Sequence, residues 1–200
     1  MNLLKELQEK LGEHDPIEVD ELILDDIFEN VTSFSEQNKK DFEKYSNLVH
    51  LSLNGFGLQS LKNFPKLPSL QVLEIRANEL KGDDFAVIPT LYPELYKLKV
   101  GENPISSLDS FKSLSGSNLN KIELQGTKAS QDKNYKETLF KLIPSLDIID
   151  NQNKEGDDQS TTNYDDEDEG ADDGDNEGEE DFDEDDEFEE FDDEDDEDEE

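Results

Sequence analysis

Leu70-Gln71-Val72-Leu73-Glu74-Ile75-Arg76-Ala77-Asn78-Glu79-Leu80 carries the pattern L-x-x-L-x-L-x-x-N-x-L without a gap. A second complete copy runs through Leu95, Leu98, Val100, Asn103 and Ile105. Leu48, Leu51, Leu53, Phe56 and Leu58 repeat it with Phe in place of Asn. Leu119, Ile122, Leu124, Thr127 and Ala129 repeat it with Thr. Val19, Leu22, Leu24 and Ile27 form a degenerate first copy. The copies start at 19, 48, 70, 95 and 119, so the steps are 29, 22, 25 and 24 residues.

Steps of that size with that pattern are those of a leucine-rich repeat. The last two apolar positions of L-x-x-L-x-L lie two apart, so a strand sends both to one face. Stacked copies form a parallel sheet over one continuous core. The Asn is placed to bond the backbone of its bend, including that of the next copy. Between the strands apolar residues step by three: Leu61, Phe64, Leu67; Phe85, Ile88, Leu91; Leu108, Phe111, Leu114. That period predicts short helical or 3₁₀ turns on the convex side. Leu3, Leu4, Leu7 and Leu11 have helical spacing and are expected to cap the first strand. Asp15-Pro16-Ile17-Glu18 reads as an N-cap, Pro at N1 and an acid at N3. Tyr135, Leu139, Leu142 and Ile143 predict a closing helix that Pro144 ends, with Leu146 and Ile149 as a last strand-like edge. Gly55-Phe56-Gly57 falls in a repeat turn, where glycine accepts unusual φ. The expected architecture is a right-handed α/β solenoid of five repeats with helical caps, its parallel sheet on the concave side.

Charge divides the chain. Its 200 residues hold 18 Lys+Arg and 56 Asp+Glu, a net charge of -38. Residues 151–200 hold 31 of the acids and one base, Lys154, so -30 of the total falls on them and -8 on residues 1–150. The apolar side chains of that last segment are Tyr164, Ala171, Phe182, Phe188 and Phe191. So few cannot offset the entropy of ordering against so much like charge. The expected division is a repeat domain over 1–150 and a disordered polyacidic tail over 151–200. Such a balance excludes an unassisted nucleic-acid binder and argues against anionic membranes. There is no Cys and there are two His, so neither a thiolate nor a zinc site is expected. No stretch approaches the roughly 20 apolar residues of a membrane span, and Met1–Glu13 lacks the apolar core of a secretory signal. The reading is a soluble intracellular protein.

Family-specific stretches lie within this frame. They are Val19-Asp20-Glu21-Leu22-Ile23-Leu24-Asp25, the run from Leu67 to Asn78, and the cap from Tyr135 to Asp150. The most specific is Asn134-Tyr135-Lys136-Glu137-Thr138-Leu139-Phe140-Lys141-Leu142-Ile143-Pro144. In these, and in the acidic tail after them, the chain resembles the acidic leucine-rich nuclear phosphoprotein 32 family. The resemblance implies a histone-binding, chaperone-like chromatin regulator, nuclear and shuttling with the cytoplasm. It also implies, as an alternative, an inhibitor of a serine/threonine phosphatase or an adaptor acting through the repeat face. Family members often carry a basic import signal near the C-terminus, and nothing after Lys154 is basic.

No nucleotide-binding, metalloprotease or nucleophile-elbow motif occurs, so no catalytic residue, cofactor or metal ligand is assigned. His50 sits at a strand position pointing out of the core with only Ser52 near it in sequence; it and His14 read as plain surface histidines. The tail reads as a mimic of nucleic-acid phosphate for basic proteins, core histones foremost. Phe182 and the run Asp186-Glu187-Phe188-Glu189-Glu190-Phe191 are assigned to partner binding, with the aromatics as anchors among acids. Thr162, with Asp165 at +3, fits an acidophilic kinase. On the concave face Arg76, Lys97, Lys99 and Lys121 fall close together with Glu74 and Glu123 among them. This reads either as a solvated mixed-charge face or as a docking strip for an acidic segment, the protein's own tail included. The protein is expected to be monomeric.

Overall fold

The computed structural model describes residues 14–27 and 31–159, together with Leu3 and Gly12. Six short strands form one parallel sheet in chain order. They are β1 (Glu21–Ile23), β2 (His50–Ser52), β3 (Val72–Glu74), β4 (Lys97–Lys99), β5 (Lys121–Glu123) and β6 (Ile148–Ile149). The five repeats supply β1 to β5, and the expected last edge supplies β6. Register follows the repeat: Leu22, Leu51, Leu73, Leu98 and Ile122 stand side by side, and Ile149 closes the row.

The pattern residues make the core. Leu48, Leu70, Leu95, Leu119 and Leu146 form one buried column, and Leu24, Leu53, Ile75, Val100 and Leu124 another. The convex layer follows the step of three. A 3₁₀ turn covers Gly82–Val87 and another Leu108–Leu114, and their Phe85 and Phe111 rings stack at 5.2 Å. Helix α2 (Ile88–Leu91) continues the first of these. Leu61, Phe64 and Leu67 are equally buried but lie outside any helix.

One element has no counterpart in the sequence reading. Helix α1 (Glu36–Phe42) fills the 29-residue first step. Ser35 caps it by accepting from the Asn38 amide at 3.1 Å, while Asn38 accepts from the Ser35 amide at 3.0 Å. This is a capping box with Asn at the third position instead of Glu or Gln, which hides it from the usual signature. Phe42 from this helix packs against Phe34 with ring centres 5.0 Å apart, and Phe34 against Phe64 at 4.7 Å, both pairs tilted.

The asparagines bond as expected, but backwards. Asn78 accepts from the Leu58 amide at 2.8 Å and donates to the Leu53 carbonyl at 2.9 Å, both in the preceding copy. Asn103 accepts from Leu80 at 3.0 Å and donates to the Ile75 carbonyl at 2.8 Å. The expected bonds to the next copy are thus corrected in direction. Gly55 has φ +65°, and a Cβ there would collide with the Asp26 carboxylate.

At the N-terminal end Asp15 caps a 3₁₀ turn over Pro16–Glu18, accepting from the Ile17 amide at 3.2 Å. Leu3 is buried in the core; Leu4, Leu7 and Leu11 lie outside the described residues. At the other end helix α3 (Tyr135–Leu142) stops one residue before Ile143, as Pro144 requires. The Tyr135 hydroxyl donates to Asp150 at 2.6 Å, and the other Asp150 oxygen accepts from the Leu124 and Gln125 amides. Burial, then the Asp150 carboxylate, raises the Tyr135 hydroxyl well above its usual range. The chain does not leave the fold at Asp150. Gln152 bridges back to Ile149 and pairs with Asp158, and Gln159 bonds the Asn151 carbonyl at 2.7 Å. The described chain thus continues to bond back to the C-terminal cap past Asp150, as far as Gln159.

Candidate functional site

A strand turns alternate side chains to opposite faces, so the residues flanking each buried centre stand on the open, concave face. Parallel register converts them into rows. The first row reads Glu21, His50, Val72, Lys97, Lys121 and Ile148. The second reads Ile23, Ser52, Glu74, Lys99 and Glu123.

The second row is built of opposite charges. Lys99 Nζ donates to Glu74 Oε1 at 3.0 Å and lies 3.9 Å from Glu123 Oε1. His50 reaches across from the first row. Its Nδ1 lies 2.7 Å from Glu21 Oε1 and its Nε2 3.2 Å from Glu74 Oε1. A ring donating from both nitrogens is an imidazolium. The hydrogen bond to Glu74 raises the affinity of His50 for its proton, burial opposes it, and Glu21 adds to the rise. Burial alone would raise the Glu74 carboxyl; bonds from His50, Lys99 and Asn54 overcome this and hold it down at about 2. His50 is therefore no plain surface histidine. It is half-buried and clamps β1, β2 and β3 through two carboxylates. Ser52, its neighbour in sequence, donates instead to Asp25 at 2.5 Å. Nor is His14 bare: its Nε2 lies 2.9 Å from the buried Tyr45 hydroxyl.

Of the four cations read from the sequence, Lys97 and Lys99 lie on β4 and Lys121 on β5, while Arg76 lies two residues past the end of β3, and they do not act as one strip. Arg76 donates to Glu102 at 2.8 Å, and Lys99 is held between carboxylates. Lys97 and Lys121 stand directly opposite one another in register. Phe182, the run Asp186–Phe191 and Thr162 lie outside the described residues. Sequence reasoning missed the Glu21–His50–Glu74 clamp. Aligning Leu22 with Leu51 is enough to set Glu21 beside His50; the diagonal reach to Glu74 depends on side-chain conformation.

A cavity of about 520 Å³ opens at the C-terminal cap over Phe140. Its lysines are each engaged: Lys136 with Gln152, Lys141 with Glu137, Lys154 with Asp147. Among the described residues no group of His, Cys, Asp or Glu is arranged to hold a metal ion. What the face offers is a set of positioned charges.

An acidic leucine-rich nuclear phosphoprotein 32-related protein of Plasmodium falciparum is 34% identical over 147 residues, 72% of this chain and 52% of the relative. The chain is a relative of the acidic leucine-rich nuclear phosphoprotein 32 family. Member A of that family from Drosophila melanogaster is 38% identical over 110 residues, 54% of this chain and 41% of its own length. The chain thus spans about half the length of these phosphoprotein 32 relatives. A Tetrahymena thermophila protein named as a histone is 31% identical over 127 residues, 63% of this chain and 32% of its own. No family model matches the sequence. Among solved structures, a chain of the Drosophila melanogaster SNF/U2A′ complex superposes with TM-score 0.54 at 22% identity, covering 67% of this chain and 74% of that one. That likeness shows the leucine-rich-repeat fold.

Proposed function

We propose that this protein binds basic proteins, core histones foremost, as a chaperone-like regulator of chromatin in the nucleus. The observation that carries the reading is the -30 charge on residues 151–200, set after a repeat scaffold whose own net charge is only -8. A polyanion draws a basic protein from a distance and screens its charge without chemistry. Two further observations support the reading. The relatives are named nuclear phosphoproteins, and one protein sharing this repeat sequence is named a histone. Phe182, Phe188 and Phe191 add apolar anchors among the acids, and phosphorylation at Thr162 would add charge of about -1.5 to -2.

The test is a titration of core histones with the full chain and with residues 1–159, at several salt concentrations. The full chain should bind with an affinity that falls steeply with salt, since exposed charges are screened over about 8 Å at physiological strength. The shorter chain should bind far more weakly. Equal affinities would reject the reading; a serine/threonine phosphatase held equally by both chains would favour an inhibitor or adaptor acting through the repeat face. Replacing Phe188 and Phe191 together by Ser leaves charge unchanged and should weaken histone binding by about 1–3 kcal/mol.

A further inference from the structure

Ser106 follows Ile105, the last pattern residue of its copy, and precedes the 3₁₀ turn over Leu108–Leu114. The chain is extended there: Ser107 has φ -144° and ψ 142°. Other serines of this flank are engaged in bracing turns. Ser107 accepts from the Asp109 amide at 3.2 Å, Ser117 donates to the Leu114 carbonyl at 2.7 Å, and Ser130 to the Thr127 carbonyl at 2.9 Å. Ser106 is exposed, and among the described residues its hydroxyl makes no hydrogen bond. Three positions on stands Asp109, whose side chain is 73% exposed and pairs with the exposed Lys112 at 2.9 Å. Such a surface pair is weak, so another cation can take the place of Lys112. Ser106 and Asp109 line one cleft of about 300 Å³, and Lys128 of the next copy lines it too. The Ala129 amide donates to the Ile105 carbonyl at 3.0 Å, which holds the two stretches side by side. Lys128 is exposed and forms no ion pair among the described residues.

We propose that Ser106 is a phosphorylation site for an acidophilic serine/threonine kinase, and that Lys128 receives the phosphate. Asp109 at +3 meets the basic surface of such a kinase, and an exposed hydroxyl on extended chain can enter its active site. The Ser106 oxygen attacks the terminal phosphorus of a nucleoside triphosphate held by the kinase. The new O–P bond forms as the bond to the diphosphate breaks, the nucleoside diphosphate leaves, and the hydroxyl proton passes to the kinase's base. The product carries about -1.5 to -2 of charge and three acceptor oxygens. It enters a cleft whose charged lining is Lys128, Asp109 and Asp132. Lys128 attracts the phosphate and the two aspartates oppose it, so the lysine decides whether the modified cleft holds together. Where it does, the phosphate ties the copy that starts at Leu95 to the copy that starts at Leu119. This site is distinct from Thr162 and does not depend on histone binding by the tail.

The experiment incubates the full chain with an acidophilic serine/threonine kinase and ATP, and maps phosphate by mass spectrometry. Phosphate should appear at Ser106, and Ser106→Ala should remove it from that peptide. Asp109→Asn should slow its appearance by about tenfold or more, while Asp109→Glu keeps it. These variants should melt within about 2 °C of the parent, so a lost signal is not lost folding. Lys128→Gln should be phosphorylated at the parent's rate. Phosphorylation should then lower its Tm by about 1–3 °C more than that of the parent. No phosphate at Ser106, phosphate confined to Ser33, which has Glu36 at +3, or an equal rate for Asp109→Asn would each overturn the assignment of the site. An equal change in Tm with and without Lys128 would overturn the role of that lysine. Histone titration of Ser106→Ala should match the parent's, which separates this site's failure from that of the proposed function.

Discussion

Two rows of side chains cross the same face of the same sheet and treat charge in opposite ways. In one, Glu74, Lys99 and Glu123 alternate in sign, and His50 reaches in from the neighbouring row to bind Glu74. In the other, Lys97 and Lys121 stand side by side between Val72 and Ile148. The backbone is common to both, so the difference lies wholly in which side chains the repeats carry. The first arrangement ties the strands together. The second sets two lysines in adjacent register with an aliphatic residue on either side.

The comparison can be broken most severely at Glu74, whose side chain is 15% exposed and bonded to His50, Lys99 and Asn54. Glu74→Ala leaves a lysine and an imidazolium without their shared acceptor and should cost about 3–5 kcal/mol in urea unfolding. A pH series sharpens the same point. The Glu74 carboxyl is depressed from 4.5 to about 2, so its contribution is fully present above pH 4.5 and lost as pH falls toward 2. That contribution is on the order of 3 kcal/mol, and Glu74→Gln should flatten the acid limb of stability against pH. His50 acts with the opposite sign. Its folded affinity for the proton is raised above the ordinary value of 6.5, so its contribution is complete below that pH and fades as pH rises through the folded midpoint. An NMR titration of the ring should show a midpoint above 6.5, and Glu21→Gln should lower it. The smallest effect belongs to the other row. Lys97→Gln should stabilise the domain, by about 0.2–1 kcal/mol, whereas Lys99→Gln should destabilise it. Two changes of the same kind on one strand, two residues apart, should differ in sign.

The sheet was legible because its code is local and repeated. Leu73, Ile75 and Asn78 recur as Leu98, Val100 and Asn103, and each copy corroborates the register of the next. Helix α1 was illegible because its apolar residues are few and its cap uses Asn38 where Glu is usual. The return of Asn151–Gln159 onto the cap was illegible because that stretch contributes no core residue; it is held by backbone bonds and Gln152, which leave no hydrophobic period to read. For the face, strand alternation set Lys97, Lys99 and Lys121 beside the buried centres of β4 and β5. It could not give their partners. Arg76 finds Glu102 26 positions away, and His50 finds Glu74 24 positions away. Those choices are made by rotamers across strands, at a range where the repeat pattern is silent.

The backward reach of the asparagines has a consequence for how the chain is made. Asn78 satisfies the Leu58 amide and the Leu53 carbonyl, and Asn103 the Leu80 amide and the Ile75 carbonyl. During synthesis the earlier bend emerges first and must wait, its polar groups on water, for the residue that completes it. The copies that start at Leu48 and Leu70 are thus each finished by their successors, and assembly there advances in the direction of translation with a lag of one unit. The lag is readable as hydrogen exchange: the Leu58 amide should exchange freely in chains ending at Ala77 and become protected in chains that extend through the following repeat.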